Sequence, residues 1–239
     1  MLRTFGKRLI GSGVPLPIRM MPKLLEWALL RDTLARLQVN CVLDVGAHRG
    51  QFATSLRRIG YRGQIVSFEP VAEAFATLDA TFSRDARWRG YNLALGNESG
   101  VRPFNVALES TEMSSFLAPL DSGWKLRVES VAMQKLDLLF DEIVAQLPGP
   151  PRIFLKMDTQ GYDLEVLQGA AASLPAVVGL QSELSVWPVY QRMPSYLQAL
   201  EYYERQGFRL LGLVEAARTE RGLLLEMNCV MARREQLIA

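Results

Sequence analysis

The chain has 239 residues, enough to bury a substantial core. Its charged fraction of 22% and net charge of +2 set up no global field that would draw it to nucleic acid. Cys41 and Cys229 are its two cysteines. Each lies in an apolar run, so they read as reduced core residues and exclude a disulfide framework.

No apolar run reaches the roughly 20 residues of a membrane span. The N-terminal apolar stretch is broken by Gly11, Gly13, Pro15 and Pro17, unlike a secretory signal, so a cytoplasmic protein is expected. Residues 1–23 carry Arg3, Lys7, Arg8, Arg19 and Lys23 with no acid, mixed with Leu2, Phe5, Leu9, Ile10 and Leu16. They read as a basic leader ahead of one domain over 24–239; the functional alternative is a weak contact with anionic lipid or substrate.

Leu24, Trp27, Leu30, Leu34 and Leu37 follow at helical spacing and predict a helix covering one edge of a sheet. Cys41 to Val45 is an apolar strand interrupted by Asp44, and it stops at Gly46-Ala47-His48-Arg49-Gly50. From Gln51 to Gly60, the spacing of Phe52, Leu56 and Ile59 predicts a helix. Strand, glycine turn and helix start together make a crevice: Gly46 and Gly50 let backbone turn and a ligand approach, and the helix start offers unpaired N–H groups.

The spacing argues against a dinucleotide. His48 stands where the G-x-G-x-x-G fingerprint needs its second glycine, Gln51 stands in place of the third, and a pyrophosphate fits badly. Asp44 suits a positively charged cofactor instead, and S-adenosylmethionine has an ammonium, a sulfonium and no phosphate. The next strand, Gln64 to Phe68, ends at Glu69-Pro70, roughly 20 residues past the turn, where an acid takes ribose hydroxyls. Pro70 ends the strand. The plain alternative for Glu69 is a solvated strand end.

Further on, Val71 to Phe82 predicts a helix, Trp88 to Leu95 a third strand, and Val101 to Val106 with Val128 to Met133 added strands outside the main sheet. Glu109 to Ser115 reads as a loop. Leu136 to Leu147 is helical and stops at Pro148-Gly149-Pro150-Pro151, a rigid turn into the short strand Arg152 to Asp158. Then come a helix over Tyr162 to Leu174, a strand from Ala176 to Leu184 closing on Glu183, a helix over Tyr196 to Gln206, and the strands Phe208 to Val214 and Leu223 to Met231. The short connection between the last two predicts an antiparallel hairpin. Such a chain describes an α/β, Rossmann-like class I methyltransferase fold: a seven-stranded, mostly parallel sheet with a C-terminal antiparallel hairpin and helices on both faces.

Four stretches resemble the FkbM-type methyltransferases. Val42 to Gly50 looks like the family's cofactor loop, Ser67-Phe68-Glu69-Pro70 like its ribose-binding strand end, and Asn92 to Asn97 like the strand beside the adenine. The most specific match is Leu155 to Gly169, similar to K-[IM]-D-x-E-G-x-E-x-x-x-L-x-G. The resemblance spans roughly residues 40 to 190. It implies S-adenosylmethionine-dependent O-methylation of a sugar, glycolipid or small metabolite, with Asp44, Gly46, Ala47, His48, Gly50, Glu69, Pro70, Ala94, Leu95 and Asp158 as cofactor-binding residues. Two departures stand out: His48 replaces the usual asparagine, and Gln160 the usual glutamate, with Asp163 a shorter acid than the family's three residues later.

A hydroxyl acceptor must lose a proton, and the single histidine sits in the cofactor loop. The catalytic candidates are therefore carboxylates at consecutive strand ends. Asp158 would serve as base, hydroxyl-orienting group or partner of the cofactor's charge, and Glu183 would bind acceptor hydroxyls. Either could instead cap a loop. Lys156, inside an apolar strand, needs an acid partner across the sheet. Trp187, Pro188 and Tyr190 suggest an aromatic wall. Ser114 and Ser115 lie in a long loop that could cover the pocket. Asp158 and Glu183 lack an obvious third ligand, so no metal is predicted. The expected partner is a small-molecule or glycan acceptor, not nucleic acid: the acid- or asparagine-Pro-Pro-aromatic motif of base-amine methylation is replaced by Asp158-Thr159-Gln160-Gly161. The competing classes are an NAD-dependent or nucleotide-sugar oxidoreductase, which would want glycine at 48, and a non-catalytic scaffold with the cofactor fold.

Overall fold

The computed structural model describes residues 21–237. The basic segment singled out above lies outside the described residues as far as residue 20. Its end is helical, since α1 runs Met21–Arg36 and takes in Lys23. Leu30 and Leu34 on α1 and Leu37 just beyond it are buried, whereas Leu24 and Leu25 are exposed.

Seven strands form the main sheet: β1 (Cys41–Val45), β2 (Gln64–Phe68), β3 (Trp88–Tyr91), β7 (Ile153–Met157), β8 (Val177–Ser185), β9 (Phe208–Arg218) and β10 (Leu224–Arg233). Their order is β3-β2-β1-β7-β8-β10-β9. Six strands run in one direction, and β10 alone enters antiparallel, between β8 and β9. Helices cover both faces, so the central strands read as continuous apolar runs rather than alternating ones. Along β1, Cys41, Leu43 and Val45 join the core on one face, with Leu155, Leu180 and Tyr203. Val42 joins the other, with Leu30, Leu56, Leu78 and Phe154. The helices between the strands are α2 (Gln51–Arg58), α3 (Ala72–Phe82), α4 (Leu136–Val144), α5 (Asp163–Gln168) and α6 (Tyr196–Arg205). No helix among the described residues is long and apolar enough to cross a membrane.

Three expectations need correcting. The third strand, read as Trp88 to Leu95, is two. Asn92 Nδ2 donates to the carbonyls of Glu69 (2.9 Å) and Pro70 (3.1 Å) and turns the chain out of the sheet. Ala94–Leu95 (β4) then pairs with Met133 and Gln134 in a second sheet of order β4-β6-β5, where β5 is Gly100–Ala107 and β6 is Leu126–Gln134. The helix expected to reach Leu174 ends at Gln168, because Gly169 abuts the Gly96 carbonyl and the Asp137 carboxylate accepts the N–H groups of Ala172 and Ser173. Finally, β8 runs on to Ser185, so Glu183 lies within the strand rather than closing it.

Candidate active site

The crevice opens at the carboxyl ends of β1, β2 and β7, where strand order reverses and α/β sheets bind ligands. It is a cavity of about 650 Å³. The glycine turn forms its floor. Gly46 has φ +76°, and a Cβ there would sit 2.0 Å from the Asp158 carbonyl oxygen, so only glycine lets the β1 and β7 ends meet. The N–H groups of Gly46 and Ala47 both donate to Phe68 O, locking the turn onto the end of β2. Gly50, at φ +89°, serves a different contact: its missing side chain makes room for Leu78 and Phe82 of α3, not for a ligand.

Glu69 is 5% exposed and lines the cavity. Its Oε2 accepts from the His48 N–H (2.8 Å) and its Oε1 from the Val71 N–H (2.9 Å). Burial pushes its pKa up to about 7 against these two bonds and the Lys156 charge. Pro70, Ala94 and Leu95 line the same side. Asp44, by contrast, is fully buried beneath the floor and does not line the cavity. The register of β1 and β7 places it opposite Lys156, which is the acid across the sheet that this lysine requires. Burial alone would lower the lysine's pKa, but Asp44 and Asp158 outweigh it and hold the ammonium above its ordinary value.

His48, at φ +49°, turns its ring toward the cover of the site. Its Nδ1 accepts from Gln51 Nε2 (3.0 Å), so the neutral ring carries its proton on Nε2 and donates to Thr111 Oγ1 (2.8 Å). Burial lowers its pKa, which favours this neutral form. The loop expected over Glu109 to Ser115 thus contains a helical turn, Thr111–Met113, resting on the cofactor loop, and Ser114 lines the cavity beneath it.

The opposite wall brings Asp158 and Glu183 together. Both line the cavity, and Gln160 Nε2 donates to Asp158 Oδ1 and Glu183 Oε2, 3.0 Å each. Glu226 and Asn228 of β10 and Glu26 of α1 extend this wall. Burial pushes Glu183 well above the ordinary carboxylate range, and repulsion from Asp158 and Glu226 adds to it. Among the described residues, no group of three or more His, Cys, Asp or Glu is arranged to hold a metal ion. The expected aromatic wall is different in kind. Trp187 is 61% exposed and Tyr190 is buried as a hydrogen-bonding member of the site; the tryptophan that lines the cavity is Trp27. Nothing local in the sequence pointed to Thr111, Glu226 or Asn228, which reach the site through the tertiary fold.

The profile of the Methyltransferase FkbM domain matches residues 44–210, well over half of the chain. The chain belongs to the FkbM methyltransferase family. It is an S-adenosylmethionine-dependent methyltransferase, and the oxidoreductase and scaffold readings fall away. No curated protein matches this methyltransferase in sequence. Solved structures similar to it include magnesium protoporphyrin IX methyltransferase (ChlM) from Synechocystis PCC 6803 with bound SAM, at TM-score 0.48 and 9% identity, covering 89% of this chain and 79% of that one. Precorrin-6y C5,15-methyltransferase from Geobacter metallireducens GS-15 is similar at TM-score 0.44 and 12% identity, covering 84% and 86%. Aeropyrum pernix fibrillarin in complex with S-adenosyl-L-methionine is similar at TM-score 0.46 and 9% identity, covering 81% and 66%.

Proposed function

We propose that this methyltransferase delivers the methyl group to a hydroxyl oxygen of a sugar, glycolipid or other small polyhydroxylated metabolite. The observation that carries this reading is the acidic wall: Asp158 and Glu183, joined by Gln160 and flanked by Glu226, face the cavity beside the cofactor loop. Carboxylates accept hydroxyl protons and repel phosphates, so the wall favours a polyhydroxylated acceptor over a nucleic acid.

The residues of the crevice fit S-adenosylmethionine. Glu69 spends one bond per oxygen on backbone N–H groups and keeps lone pairs for ribose hydroxyls, while Ala94 and Leu95 offer an apolar surface to a base. Gly46, Ala47 and His48 line the side where the methionine portion would lie. When bound, the cofactor supplies a methyl group activated by its sulfonium. The protein's own work is then to orient the acceptor and remove its proton, and orientation alone can supply much of the acceleration. One oxygen of Asp158, Oδ1, is held by Gln160; Oδ2, 3.6 Å from Lys156 Nζ, keeps lone pairs for the acceptor hydroxyl. Its proton passes to Asp158, or to Glu183, whose raised pKa makes it the stronger base once ionised.

Incubation with isotopically labelled S-adenosylmethionine and separate glycolipid and small-metabolite fractions tests the reading by mass spectrometry. Methyl ethers on hydroxyl oxygens are expected. Label found only on nucleic-acid bases or protein side chains would overturn it.

A further inference from the structure

Gln160 is held from every side. Its amide nitrogen donates to Asp158 at the end of β7 and to Glu183 on β8, and its Oε1 accepts from Tyr190 OH at 3.0 Å. The backbone carbonyl of Gln160 accepts from Ser115 Oγ at 2.8 Å. The residue is 8% exposed and adopts φ +52°, a left-handed conformation uncommon for residues other than glycine. Tyr190 OH also lies 2.7 Å from the Met113 carbonyl, in the helical turn that covers the cofactor loop, so its one proton is shared between that carbonyl and Gln160 Oε1.

The polarity of the amide decides what stands at 160. Two carboxylates on one side take donors, and on the other a tyrosine hydroxyl shares its proton between the Met113 carbonyl and the side chain at 160. A primary amide meets both demands, whereas an ionised glutamate would set a third acceptor against two others. We propose that Gln160 is a positioning residue: its amide fixes Asp158 and Glu183 on the acceptor wall and, through Tyr190, ties them to the Thr111–Met113 cover. One side chain then holds the acids directly and reaches the cover through Tyr190. The inference deepens the hydroxyl-acceptor reading by naming what organises its acidic wall.

The charged and titratable groups facing this pair are Lys156 and Asp44 from the sheet floor, Asp163 from α5, Glu226 from β10 and Tyr190 itself. Losing the amide removes the donor that opposes repulsion among the acids, so Glu183 must titrate at a higher pH.

The test uses the full chain, labelled with ¹³C at the carboxyls, in the presence and absence of S-adenosylmethionine. Gln160→Met should raise the Glu183 titration midpoint by about one unit, and Gln160→Glu should raise it further. Both should speed hydrogen exchange of the 111–115 amides about tenfold or more. Tyr190→Phe, which leaves the amide–carboxylate bonds intact, should speed that exchange while leaving the Glu183 midpoint in place, and it keeps the test alive if position 160 variants do not fold. An unchanged Glu183 midpoint in a folded Gln160 variant, or unchanged exchange in Tyr190→Phe, would overturn the proposal. Neither readout involves an acceptor, so failure here is distinct from failure of the hydroxyl-acceptor reading.

Discussion

Lys156 Nζ stands 3.0 Å from Asp44 Oδ1 and 3.2 Å from the Gly46 carbonyl oxygen, joining the buried acid of β1 to the turn that floors the active site. The Phe52 ring packs over the same ammonium at 5.1 Å. Removing one member leaves the other charged and buried, so Lys156→Met or Asp44→Leu alone should cost about 3–5 kcal/mol. The double substitution should recover much of that, because paired burial is costly to both ions. Denaturant unfolding of all four proteins measures the coupling, and single costs that simply add would disprove it.

Gly46→Ala tests the floor itself. The new Cβ would meet backbone, not a yielding side chain, and φ +76° is strained for alanine. A loss of at least about 2 kcal/mol in stability is expected, with cofactor affinity falling in whatever fraction folds. Gly50→Ala meets movable side-chain atoms of Leu78 and Phe82 instead, so it should lower stability while largely sparing affinity. Equal effects of the two on calorimetric affinity would contradict this division of roles.

Much of this architecture was legible because parallel α/β units write themselves locally. The run Cys41 to Gly50 shows a buried strand stopping at a turn, and Glu69-Pro70 marks the next strand's end. The side-chain pairings were not legible in the same way. Asp44 and Lys156 meet only because β1 and β7 pair in one particular register across more than a hundred residues. The break at Asn92 depends on two carbonyls of another loop. The helical turn at Thr111 has no strong local pattern, and His48 and Tyr190 hold it from two sides. Gln160 was visible as a departure from the family's glutamate, but its meaning needed the two carboxylates in place around it.

If Glu69 takes the ribose hydroxyls, both stability and cofactor affinity should depend on its ionisation. Unfolded, a glutamate ionises near about pH 4.3, whereas burial in the fold raises it to about 7. Between those values the folded protein holds a proton that the unfolded chain has released. Stability therefore falls as pH rises from about 4.3 to about 7 and levels beyond, by at most roughly 4 kcal/mol from this group. Cofactor affinity should run the other way, gaining up to about tenfold per unit below pH 7 as Glu69 becomes the better acceptor for ribose hydroxyls. Glu69→Gln should bind about 1–3 kcal/mol more weakly, with the pH dependence lost. Calorimetry from pH 5.5 to 8 checks both, and a flat profile in the parent protein would remove Glu69 from the ribose contact.

On the hydroxyl-acceptor proposal, Asp158 serves the chemistry rather than the cofactor's hold or the fold, and one variant tests that division. Its side chain is 39% exposed, at the mouth of the crevice, so its replacement leaves no buried charge stranded. Its carboxylate meets Gln160 on one oxygen and faces Lys156 across 3.6 Å with the other. Asp158→Asn keeps the shape but cannot accept the acceptor's proton, and its amide group cannot reproduce both contacts. The rate constant should fall by roughly 100-fold or more, with cofactor affinity and melting temperature close to those of the parent. Glu183→Gln should act more weakly if Asp158 is the base, since Glu183 then only holds acceptor hydroxyls, and its main effect should be on KM. The reverse ranking, with Asp158→Asn near normal and Glu183→Gln slow, would move the proton to Glu183. Near-normal turnover in both would leave orientation alone to account for the rate.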